Sequence, residues 1–249
     1  MALKKYYFLA GYSRAGNTFL SSILNQNKDI TVTPNSCVVQ IMYNLFELYK
    51  SEWLKNVPEV SGLNNVIDKL LDNYYEHLNS QFIFERAGWG TPYNLEMLYK
   101  LNYKPKFLIL VRPLVEVLAS YAKVQKPKNI EEFVNKVMHP DSGKIYWDWH
   151  STTNIIKTKQ DYLLIQYNDL VSHTQECINK IYQFFDLPQF KHNLNDIKQF
   201  EYNGVKYNDA IFEAPGLHEV KNNIIKEEYD IEKYLPKEII KKYDGWDYF

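Results

Sequence analysis

Gly11-Tyr12-Ser13-Arg14-Ala15-Gly16-Asn17-Thr18 lies between a strand-like run, Tyr6 to Ala10, and a helix-like run from Phe19 to Leu24. Its glycines and threonine fit the phosphate-loop spacing G-x-x-x-x-G-K-[ST], with Asn17 in the place of the lysine. A strand that turns sharply into a helix points free backbone N–H groups, and the positive end of the helix dipole, at an anion in the turn. Ser13, Arg14, Ala15, Gly16, Asn17, Thr18 and Phe19 therefore form a candidate cradle for a phosphate-like group. The missing lysine argues against a nucleoside-triphosphatase, in which that side chain reaches the β- and γ-phosphates; Arg14 offers a cation from inside the loop instead. A second pair is Arg112, which closes the most apolar run of the chain, and Ser120, eight residues on. In a helix that spacing is about 12 Å of rise, so the two can clamp one anion only if Arg112 reaches along the helix and the ligand is extended. Alone, the pair also fits a surface arginine and a helix serine.

These residues need a scaffold that brings strand ends together. Short apolar runs near 6–10, 30–33, 82–84, 106–111 and 162–165 alternate with helical patterns at 38–54, 63–78, 113–123, 130–137, 146–157 and 176–185. The alternation predicts an α/β fold: a three-layer α/β/α arrangement of P-loop type around a central, mostly parallel five-stranded sheet with right-handed crossovers. Residues 107–111 are apolar on both faces, as a central parallel strand requires. The expected organisation is one domain over 1–249, with helical inserts at about 38–80 and 123–160. A C-terminal helical tail is expected at about 225–249, a helix pair broken at Pro236. Ligands of such sheets bind beyond the carboxyl ends of the strands, which selects 13–18, 34–36, Glu85 and Arg86, Arg112, and 167–169.

The 249 residues carry a net charge of −1 and a pI near 6.6, so no global basic field points to nucleic acid. Cys37 and Cys177 are too few for a disulfide framework and lack metal-ligand spacing, which fits a reducing compartment. No apolar run approaches the ~18 residues of a spanning helix, and the first strand begins too early for a signal peptide. A cytoplasmic protein without a membrane span is expected.

Taken together, the motifs resemble the PAPS-dependent sulfotransferase family. Its first motif, P-[KR]-S-G-[TSN]-T, is matched by Ser13-Arg14-Ala15-Gly16-Asn17-Thr18, and its Arg-x7-Ser motif by Arg112 to Ser120. Leu163 to Leu170 is similar to the L-x-x-x-Y-E-D-L segment, and Phe184-Phe185-Asp186-Leu187-Pro188 to the F-L-G-L-P that follows it. The resemblance implies a sulfonate transfer from PAPS, leaving PAP, to a hydroxyl or amine of a small-molecule, carbohydrate or lipid acceptor, with no metal. It implies that the loop holds the 5′-phosphosulfate, Arg112 and Ser120 the 3′-phosphate, and Tyr167 the adenine. Lys221 falls where basic residues reach the 3′-phosphate, although a solvated turn explains it equally. Arg14 becomes the cation at the leaving oxygen, since sulfuryl transfer passes through a loose in-line transition state that builds charge there.

The acceptor base is the gap in this pattern. Related tyrosylprotein enzymes carry a glutamate just after the second strand, whereas Thr33-Pro34-Asn35-Ser36 contains no titratable group, and asparagine takes no proton at neutral pH. Glu85 is one replacement, with Arg86 beside it to steady the sulfonate, unless the two form a structural ion pair. His218 is another, its ordinary pKa of about 6.5 suiting proton abstraction, unless it binds the nucleotide or caps a loop. His150, in an aromatic helix, fits core or acceptor-pocket lining better. The other readings are a catalytically degenerate PAP- or PAPS-binding protein and a P-loop small-molecule kinase, against which Asn17 speaks.

Overall fold

Five strands, β1 (Lys5–Gly11), β2 (Ile30–Asn35), β3 (Phe82–Arg86), β4 (Lys106–Val111) and β5 (Asp161–Gln166), form one sheet in the order β2-β3-β1-β4-β5. Every neighbouring pair is parallel. The computed structural model describes residues 3–202, 204–209, 218–220 and 230–246. Phe107 to Val111 are fully buried because helices cover both faces of β4, as expected for a central strand. The result is the α/β architecture of P-loop type anticipated from the alternation of apolar runs.

The helices are α1 (Asn17–Leu24), α2 (Val38–Lys50), α3 (Ser61–Asp68), α4 (Leu70–Tyr74), α5 (Pro92–Lys100), α6 (Leu114–Gln125), α7 (Ile130–Val137), α8 (Lys144–Lys157), α9 (Tyr167–Ser172), α10 (Thr174–Phe184) and α11 (Lys237–Tyr243). The pattern at 38–54 ends earlier, at Lys50, and resumes as a 3-10 turn at Trp53–Asn56; the one at 63–78 breaks at Lys69. Helix α5 has no counterpart in the apolar pattern. Its signal is local: the Thr91 hydroxyl accepts from the Asn94 N–H at 3.3 Å, and Pro92 occupies the first turn, where its missing N–H costs nothing. In the tail, Pro236 stands between a 3-10 turn at Ile231–Lys233 and α11, while 225–229 and 247–249 lie outside the described residues.

The site depends on how α8 is held. The Gly90 N–H donates to the Ser151 hydroxyl at 2.9 Å, and the Asn154 amide donates to the Gly90 carbonyl at 2.7 Å. A Cβ at Gly90 would land on the Ser151 carbonyl and the Ile155 side chain, so only glycine lets the loop after β3 approach α8 this closely. The first turns of α8 are thereby set over the end of β1. The exposed aromatic side chains of Tyr43, Tyr49, Trp53 and Trp147 contrast with Tyr75, which is fully buried, so the aromatic inserts divide between surface and core.

Candidate active site

The phosphate loop leaves β1 and turns into α1 through two left-handed residues, Arg14 with φ 66° and Gly16 with φ 88°. A Cβ on Gly16 would lie 2.9 Å from the Tyr167 ring, so glycine is required by conformation and by space together. Asn17 is buried, and its amide donates to the Tyr12 carbonyl at 2.8 Å. Where a lysine would reach outward, this side chain ties the loop to itself. Ala15 is packed into the core and Phe19 lies half-buried against it, so what these two can offer a ligand is backbone. No side chain caps α1, and its first turn holds no acidic residue. Thr18 is half-buried in that same turn.

Two further residues converge on Arg14. Its Nε donates to the Ser120 hydroxyl at 3.2 Å, while Arg112 Nη1 donates to the Arg14 carbonyl at 3.3 Å. Arg112 is nearly buried; its Nε donates to Glu116 at 2.9 Å and its guanidinium carbon lies 4.3 Å from the Tyr167 ring centre. The rise between Arg112 and Ser120 is thus spanned by Arg14, which touches both. Tyr167 opens α9 at the end of β5, between Gly16 and Arg112.

On the other side of the loop a cleft of about 250 Å³ is lined by Ser13, Asn17, Ser36, Arg86, Lys144 and Asp148, among others. Arg86 ends β3 in register with Leu9 of β1, and its Nη1 donates to the Tyr207 hydroxyl at 3.2 Å. The Tyr207 ring is stacked on His218, with ring centres 3.9 Å apart and an angle of 12°. Asp209 grips His218 twice, at 2.6 Å through Nδ1 and at 2.9 Å through the backbone N–H. Burial lowers the His218 pKa against the opposing pull of Asp209.

Glu85 requires a correction. It is 0% exposed, and its carboxylate accepts from Thr33 at 2.9 Å, from Ser36 at 2.6 Å and from the Tyr75 hydroxyl. It therefore faces inward beneath the strand ends, out of an acceptor's reach, and pairs with hydroxyls, with no ion pair to Arg86 among the described residues. Burial pushes its pKa up, and the hydroxyls oppose the shift. His150 packs against Tyr146 and Trp147, and its Nδ1 is buried without a hydrogen bond among the described residues. Lys221 lies outside the described residues.

Sequence reading missed Lys144, Asp148, Tyr207 and Asp209. Lys144 and Asp148 sit four apart, on one helical face, but α8 starts two residues before the aromatic pattern suggests. The Ser13 N–H donates to Asp148 Oδ2 at 2.7 Å, a contact that joins residues 135 apart and leaves no local trace.

Among solved structures, a mouse sulfotransferase complexed with PAP is 12% identical, with a TM-score of 0.57 over 98% of this chain and 82% of that one. The sulfotransferase domain of an olefin synthase from Synechococcus is 14% identical, with a TM-score of 0.56 over 88% and 87%. A sulfotransferase from Alicyclobacillus acidocaldarius is 13% identical, with a TM-score of 0.53 over 78% and 85%. These likenesses concern the fold. No curated protein matches the chain in sequence. Among the described residues, no helix is long and apolar enough to cross a membrane. The sulfotransferase domain family matches residues 4–246, nearly the whole length, so the chain belongs to that family and is an enzyme of the sulfotransferase class.

Proposed function

We propose that the chain moves a sulfonate from PAPS to a hydroxyl or amine of a small-molecule, carbohydrate or lipid acceptor. The observation that carries the reading is the convergence on Arg14 of Ser120 at 3.2 Å and Arg112 at 3.3 Å. A loop, a strand end and a helix bring two cations and a hydroxyl to one place, suited to an extended polyanion. The residues fit such a group in a second way: the uncapped start of α1, free of acidic side chains in its first turn, offers N–H groups and a positive dipole end to a phosphate.

PAPS supplies the sulfonate and its phosphate leaving group, and the chain supplies charge and orientation. Ser13 to Phe19 hold the 5′ end. Arg14 takes up the negative charge that grows on the leaving oxygen, a stabilisation absent from the ground state and therefore catalytic. Arg112 and Ser120 hold the 3′-phosphate, and Tyr167 borders the purine. Arg86 steadies the sulfonate from the β3 side, with Tyr207 orienting it. His218 stacks on Tyr207 and is itself held by two hydrogen bonds to Asp209.

A titration with PAP, PAPS, AMP and ATP tests the reading. PAP and PAPS should bind at least about tenfold more tightly than AMP, on the order of 1.4 kcal/mol, because only they carry the 3′-phosphate. Binding of ATP with magnesium and not of PAP would overturn it in favour of a kinase. PAP binding with no PAPS turnover by any acceptor would replace an enzyme by a nucleotide-binding protein.

A further inference from the structure

The sheet order separates two sides of the phosphate loop. Arg112, Ser120 and Tyr167 come from β4, α6 and the end of β5, on one side of β1; Ser36 and Arg86 come from the ends of β2 and β3, on the other. The cleft of about 250 Å³ opens on that second side, and α8 lowers one carboxylate into it. Asp148 Oδ2 is fixed at 2.7 Å by the N–H of Ser13, the residue with which the loop begins to turn. The Asp148 side chain lines the cleft together with Arg86 and Lys144.

We propose that Asp148 is the general base that takes the acceptor's proton, a role resting on the sulfotransferase reading above. The acceptor O–H gives its proton to Oδ1 as the oxygen's lone pair forms the new bond to sulfur. The bond from sulfur to the bridging oxygen of the phosphosulfate breaks, and its electron pair stays on the 5′-phosphate beside Arg14. Asp148 then releases its proton to solvent. Fixing one carboxylate oxygen on the loop that holds the phosphosulfate sets the other at the acceptor's side of the sulfur, which is where a base must stand.

The surroundings suit the task. Burial pushes the Asp148 pKa up, making it a stronger base than an ordinary carboxylate, while the Ser13 side chain and backbone N–H, Lys144 on its own helix and Arg86 of β3 oppose the shift. Tyr121 of α6 also senses its charge, and its own pKa is raised first by burial and then by Asp148. Glu85, the other carboxylate near these strand ends, is occupied by hydroxyls.

Asp148→Asn tests the proposal, because an amide oxygen still accepts from Ser13 but takes no proton. PAP binding and the thermal shift it produces are measured first, then release of PAP from PAPS with water, with a simple alkyl alcohol and with p-nitrophenol as acceptors. The expected outcome is PAP affinity within about twofold of wild type and turnover with water or the alcohol reduced by ~100-fold or more. With p-nitrophenol, already largely ionised at mildly alkaline pH, the loss should be much smaller. The acidic fall of the wild-type rate profile should disappear in the variant. Turnover by Asp148→Asn within a few-fold of wild type for the alkyl alcohol, or loss of the acidic limb in His218→Asn instead, would overturn the proposal. Failure of the wild-type chain to bind PAP would sink the underlying reading first, and is seen before any variant is compared.

Discussion

Arg14 and Arg112 are both arginines beside one loop, yet their geometry gives them different work. Arg112 is nearly buried, bonded to Glu116 and to the Arg14 carbonyl, and placed over the Tyr167 ring. A lysine keeps the charge but has neither the planar face nor the fork of donors. Arg112→Lys should therefore weaken PAP binding by about tenfold, roughly 1.4 kcal/mol, with a smaller effect on the rate at saturation. Arg14→Ala should do the reverse: calorimetry would find PAP affinity changed only a few-fold, while saturated turnover falls by ~100-fold or more, the size associated with losing one donor at a developing oxyanion. Equal losses in both variants and both measurements would refute the division of roles. The arginines were legible in the sequence because loop spacing and strand ends are local signals. Asp148 was not, since its partner Ser13 is 135 residues away and only the folded helix brings them together.

Helix α8 is the element on which the acceptor side depends, and Gly90 is what seats it. Two hydrogen bonds, at 2.9 Å and 2.7 Å, lock the Gly90 peptide to Ser151 and Asn154, and no room exists there for a methyl group. Gly90→Ala must push α8 away from the loop after β3. Such overpacking costs about 1–3 kcal/mol. For a chain of this length each of those lowers Tm by roughly 2–4 °C. A displaced α8 also moves Asp148 and Lys144, so turnover should fall while PAP affinity, set by β4, α6 and the loop, stays within about threefold; unchanged turnover with the lowered Tm would show that α8's placement does not matter to the chemistry. At this scale the apolar runs identified all five strands and the order of the helices between them. They missed α5, whose sign is a Thr-Pro cap and not a periodicity, and the short α9 straight after β5, and they started α8 too late because Lys144 carries no apolar signal.

Across the whole molecule, Glu85 joins segments that the chain order keeps apart. Its carboxylate gathers Thr33 of β2, Ser36 before α2 and Tyr75 after α4 onto the end of β3, fixing the sheet edge beside the cleft. The clasp has an electrostatic cost, because burial raises the pKa above its ordinary 4.5 despite the opposing hydroxyls. With a folded-state pKa above the unfolded one, the native chain binds more protons in the window between the two values, so this group's contribution to stability falls as pH rises through that window. Glutamine has no proton to lose and keeps an oxygen that accepts and an amide that donates. The Tm difference between Glu85→Gln and wild type should therefore move in favour of the variant as pH rises from about 4.5 towards about 8, with the carboxylic acid of the wild type best matched to the amide at the acidic end. Thermal melts of both proteins across that range would decide it. A difference that stays constant, or that moves in favour of wild type at higher pH, would mean that the hydroxyls hold the ionised carboxylate more tightly than burial opposes it.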